Sequence, residues 1–313
     1  MIAFIARKIA SGAILLLVIS SLAYFLMFFS SSNIARTILG DTASIEQIAE
    51  KERELGLDRP ILERYIEWLS GAVQGDFGVS WQSSQPIFDE LLIRVPVTLT
   101  LVILTIIITA FIATALGMFA AVKGGIVDRI VQVLGVAGFA IPNFVIAIFL
   151  VSFIAIQLFL LPATGWVDFS IDPTMWAQSL ILPVSALVIG AVASSAQQIR
   201  SAVKNILEKD WVRTLRSRGL SEREILLKHV LRAAAPAGLT ILSLQFVGML
   251  GGAVIIEQIF ALPGMGALAL ASTTVGDTPV VMGVVVVTVV VVILVNLFVD
   301  LANGWLNPKV RVN

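Results

Sequence analysis

Six charge-free apolar stretches divide the chain: Ile9–Ser32, Val97–Val122, Ile130–Pro162, Pro173–Ile199, Ala233–Ile256 and Thr278–Val299. Each exceeds the roughly 20 residues that cross a bilayer core. The pattern therefore predicts six transmembrane helices in an all-α integral membrane protein. The third stretch is longer than one span. Gly135, Gly138 and Pro142 predict that its helix is kinked or starts late. The first stretch follows Arg7 and Lys8, as in a signal peptide, but its length and the spans behind it predict an uncleaved signal anchor over residues 1–32.

The polar segments complete the plan: an outer loop over 33–96, a five-helix transmembrane domain over 97–306 carrying a polar loop at 201–235, and a tail over 307–313. In the outer loop, Ile45–Leu55 and Ile61–Val73 have helical spacing, and Pro60 sits where the second helix starts. Trp68 and Trp81 suit a membrane interface. The loop holds 11 acidic against 6 basic residues, and reads either as a solvated acidic loop or as a surface that receives an extracytoplasmic partner.

Composition agrees with a membrane protein: 58% of residues are hydrophobic and only 13% charged. Lys and Arg set the orientation. With the N-terminus inside, 15 of the 21 basic residues face the cytoplasm, nine of them between Arg200 and Arg232. Both termini and the 201–235 loop are thus expected on the cytoplasmic side. With no cysteine and one histidine, His229, the chain offers no thiolate chemistry and no histidine metal cluster. It also lacks a P-loop. No catalytic, metal or cofactor site is expected, and no nucleic acid.

The basic loop reads DWVRTLRSRGLSEREILLKHVLRAAA from Asp210 to Ala235. Ser221 and Glu224 have capping-box spacing, each able to satisfy the other's backbone N–H. Gly219 falls where a preceding helix needs a left-handed residue. The segment thus predicts helix, glycine turn, helix. Arg213, Arg216 and Arg218 are expected on the exposed face, and Ile225, Leu226, Leu227, Val230 and Leu231 on an apolar stripe. A positive-inside signal explains the charge but not the capped turn, which suits force transfer from a soluble partner.

Five segments, ELGLDRPILERYIEWLSGAVQGDFGVSW, FAIPNF, DWVRTLRSRGLSEREILLKHVLRAAAP, GGAVIIEQIFALPGMG and VNLFVDLANGWLNPKVR, occur in this order along the chain. On these the chain resembles the transmembrane permease subunit of bacterial binding-protein-dependent ABC importers, most closely the dipeptide/oligopeptide B-type subunits. The family's cytoplasmic signature is degenerate here: Gly219 matches its glycine, Arg213-Thr214-Leu215 stands in the Glu-Ala-Ala place, and the proline comes only at Pro236.

The resemblance implies a type I importer fold in a bacterial plasma membrane and alternating access. It implies a second homologous permease subunit, two ATP-binding subunits that carry ATP and Mg, and an extracytoplasmic substrate-binding protein. It also implies ATPase coupling through Arg213, Leu215, Arg216, Ser217, Gly219, Ser221 and Glu224. Pro142, Asn143 and Glu257 are candidates for the translocation pathway or gate, with interface water the alternative for Glu257. Arg200, at the end of the fourth span, is expected to snorkel. Di- or oligopeptides are the implied cargo, with oligosaccharides, nickel chelates or glutathione as alternatives. A stand-alone secondary transporter would call for an inverted repeat of broken helices or intramembrane charge pairs, and neither is evident in the sequence.

Overall fold

A computed structural model describes residues 2–30 and 34–306; the tail expected over 307–313 lies outside them. Among the described residues the regular structure is helical, apart from one isolated antiparallel bridge between Val79 and Pro86. Among the described residues five helices are long and apolar enough to span a membrane, or six where a sharply bent pair is counted as one span. The chain divides into two compact units: residues 1–98 with 263–294, and 99–262 with 295–313. The division falls inside two long helices, α5 (Ile87–Lys123) and α13 (Thr278–Leu306).

The first unit holds α1 (Ile2–Ser30), three short helices, the start of α5, α12 (Met265–Val275) and most of α13. The short helices are α2 (Ile34–Leu39), α3 (Ile45–Glu54) and α4 (Ile61–Val73). Pro60 caps α4, where its fixed φ fits a helix start and its missing N–H costs nothing. The complete capping box of this loop is at Ser44 and Gln47, each side chain accepting from the other's backbone N–H. On the other face, α4 packs Tyr65 and Trp68 against Tyr24 of α1, with Ser21 and Tyr65 hydroxyls 2.6 Å apart. Trp81 lies under the Arg64 guanidinium, 5.8 Å from ring centroid to Cζ. Both tryptophans expected at a membrane interface thus pack on protein groups.

Asp277, 2% exposed, fastens residues 80–82. Its carboxylate accepts from the Ser80 hydroxyl at 2.6 Å and from the backbone N–H groups of Gln82 at 3.2 Å and Trp81 at 3.3 Å. This part of the outer loop is docked rather than simply solvated.

In the second unit α8 (Pro173–Leu207) is the hub, contacted by α6 (Gly125–Ala140), α7 (Asn143–Leu150) and α11 (Leu231–Ile259). Asp172 starts α8 by accepting from the N–H groups of Thr174 and Met175. The predicted break in the third apolar stretch occurs at Pro142: the segments on either side meet at 90°. After the break α7 continues as a π-helix over Val151–Gln157. A second π-helix, Ile225–Val230, links α10 (Glu222–Glu224) to α11.

Candidate functional site

The basic loop folds as helix, glycine turn, helix. Its first element, α9 (Asp210–Ser217), ends at Gly219 with φ +82°. The Leu220 N–H reaches the Leu215 carbonyl (3.3 Å) and the Gly219 N–H the Arg216 carbonyl (3.0 Å). These are the two bonds of a Schellman motif, which satisfy carbonyls that the helix end would leave bare. Leu215 and Leu220 pack on the hydrophobic cluster built from Val203, Val212, Ile225 and Val230, all fully buried. The turn is therefore tied to the core from below.

The opposite face of α9 is exposed and presents Trp211, Arg213, Arg216, Ser217 and Arg218. Arg216 crosses the turn as a fork onto the Glu222 carboxylate, at 2.6 and 3.3 Å. That hydrogen bond, ahead of the simple charge attraction, raises the guanidinium pKa.

Three features differ from the sequence reading. Only half of the capping box at Ser221 forms: its hydroxyl accepts from the Glu224 N–H at 3.3 Å, while the Glu224 carboxylate takes Lys228 Nζ at 2.7 Å. A lysine one turn on is a stronger partner than a neutral backbone N–H. Leu227 is 51% exposed and does not join the apolar stripe. The local helix is π, whose i→i+5 bonding sets Ile225 and Val230 on the buried face and turns Leu227 outward. Leu215, expected at a partner contact, faces the core cluster instead of standing with the exposed arginines.

A second candidate region is a cavity of 310 Å³ among α6, α7, α8 and α11. Pro142 and Asn143 line it, opposite Ser194 and Gln245, whose side chains are joined by a 2.6 Å hydrogen bond. Gly138, Gly190, Gly248 and Gly252 supply much of the remaining wall. At Gly190 the Asn143 side-chain amide oxygen occupies the space a Cβ would need, so glycine there lets the cavity hold a polar group at mid-helix. Glu257 is not among the lining residues. It is fully buried further along α11, which rules out the reading in which it reaches interface water.

Arg200 does not snorkel. It forms a two-pronged ion pair with Asp128 of α6, with 12% and 16% of the two side chains exposed. A pairing across 72 residues leaves no local signal. The Ser194–Gln245 bond was hidden for the same reason.

The model for the family described as binding-protein-dependent transport system inner membrane component matches residues 113–312, and its N-terminal companion matches residues 1–102. A Brucella abortus protein carrying a peptide transport system permease description is 34% identical over 312 residues, covering 99% of each chain. The glutathione transport system permease protein GsiC of Escherichia coli K12 is 31% identical over the same length and share. Among solved structures, a chain of the MetNI methionine ABC transporter in an inward-facing conformation aligns with TM-score 0.55 and 18% identity. It covers 72% of this chain and 99% of that one, a likeness of fold.

Proposed function

The chain belongs to the family of binding-protein-dependent transport system inner membrane components, and from that premise we propose how it works as the membrane-embedded permease of a peptide-type ABC importer. The observation that carries the reading is the 201–235 loop. It is a short exposed helix, closed by a Schellman turn whose Leu215 and Leu220 pack on a buried cluster, with no catalytic constellation. Such an element is stiff enough to transmit a push and offers no chemistry of its own.

In this reading two ATPase subunits bind and hydrolyse ATP with Mg. They press on Trp211, Arg213, Ser217 and Arg218, and the Gly219 turn passes the displacement to α11 through Ile225 and Val230. A second, homologous permease completes the pathway, and a binding protein delivers cargo from outside. The polar cavity at Pro142, Asn143, Ser194 and Gln245 lines the route across the membrane. Short peptides or glutathione are the cargo, because the relatives named above carry those descriptions. The site sits in a bacterial plasma membrane with both termini inside, as the basic-residue bias requires.

Membrane vesicles test this directly. In inside-out vesicles stripped of their peripheral subunits, a cysteine replacing Ser217 should react with an impermeant maleimide, and one replacing Ser83 should not. In the assembled complex, dipeptide transport should require ATP and be indifferent to ion-gradient uncouplers. Gradient-driven transport without ATP would identify a stand-alone secondary transporter.

A further inference from the structure

In the unit of residues 1–98 and 263–294, a cavity of 430 Å³ opens beside α4. Its lining carries three carboxylates, and each is already engaged. Glu67 accepts from Arg59 at 2.7 Å, Glu54 from Lys51 at 2.9 Å, and Asp76 from the Gly78 N–H at 2.8 Å. One buried cation is left over. Arg64 is only 9% exposed, lines the cavity above the Trp81 ring, and makes no side-chain hydrogen bond or ion pair with any described residue.

A buried guanidinium with no hydrogen-bonded counter-charge is costly. Here the indole face beneath it offsets part of that cost but accepts none of its N–H bonds. The planar fork matches a carboxylate, which accepts two parallel bonds. The cavity volume lies in the range of small-molecule sites, about 300–1,000 Å³. That is far more than one invading side chain needs.

We infer that this cavity is a receptor for the carboxylate of a small solute, namely the C-terminal carboxylate of a short peptide. The naming of the peptide rests on the cargo reading above. Arg64 holds the carboxylate, and Tyr24, Trp68 and Trp81 wall the remainder. Holding a peptide by its terminus here is a binding step distinct from passage through the polar cavity.

The test is calorimetric titration of the purified permease–ATPase complex, without the binding protein, using alanyl-alanine and its C-terminal amide. The acid should bind on the order of tenfold more tightly than the amide, the worth of one charge-assisted hydrogen-bonded pair. Arg64→Gln should bring the acid down to the amide's affinity. Arg64→Lys keeps the charge and loses the planar fork, so assembly should survive while acid binding weakens a few-fold; it reads the site if Arg64→Gln fails to assemble. Equal binding of acid and amide, or unchanged binding by the variants, overturns the site and leaves Arg64 to water. ATP-driven uptake of the same dipeptide reports the import reading separately. Uptake without acid selectivity sinks only the carboxylate site; acid selectivity without uptake sinks only the import reading.

Discussion

Gly219→Val should cut ATP-driven uptake at least tenfold while the complex still assembles and hydrolyses ATP at its basal rate. At φ +82° a side chain with Cβ is strained by about 1–2 kcal/mol, and a β-branched one by more. Relief requires the turn to open, which frees the Leu215 and Arg216 carbonyls and detaches Leu220 from the core cluster. Nothing lies within 4 Å of a Cβ at this position, so the effect is conformational and not a clash. Gly219→Asn, which tolerates the left-handed region, should retain most of the uptake. Normal uptake by the valine variant would mean that the shape of the turn does not matter to coupling.

Asp277→Ala should release residues 80–82. The substitution strips the acceptor from the buried Ser80 hydroxyl and from the Trp81 N–H, while the Gln82 N–H keeps Ser80 Oγ at 3.2 Å; an unsatisfied buried group costs about 1–3 kcal/mol. A loss of that size corresponds to roughly ten- to a hundredfold faster amide exchange at Trp81, read by hydrogen-exchange mass spectrometry. Asp277→Asn keeps one acceptor oxygen and should lie between. Exchange unchanged in the alanine variant would show that the loop is held by something else.

Both positions show what a sequence can reveal. Gly219 was legible because a left-handed helix end is a local event with a local residue signature. Pro60 before α4 and Pro142 at the bend are of the same kind, since each acts on its own helix within one turn. Asp277 and Ser80 lie 197 residues apart and contribute nothing to any local pattern. Their pairing becomes visible only when the outer loop has folded back onto the start of α13.

The same holds for Arg200 and Asp128. A basic residue at the end of an apolar stretch usually reaches for the interface, and only the fold shows a carboxylate waiting on α6. The capping box at Ser221 fails for a nearer reason. Glu224 had two candidate partners within one turn, and the ammonium of Lys228 outcompetes a neutral N–H. Leu227 was misplaced because the stripe was read at a period of 3.6, and the chain there winds as a π-helix. Arg64 looked like one of many charges in a polar loop, yet burial and the engagement of every nearby carboxylate set it apart.

In the proposed function, α9 is where an ATPase subunit bears on this permease. The most direct measurement of that contact is disulfide or bifunctional-maleimide crosslinking from a cysteine replacing Ser217, which is exposed beside the Gly219 turn. The reaction is run on the complex purified through this chain, with products identified by mass spectrometry. The account predicts a crosslink to a co-purified ATP-binding subunit that changes in yield when ATP is added. A complex that contains such a subunit but never crosslinks from Ser217→Cys, or a permease that transports with no ATP-binding subunit present, would contradict it.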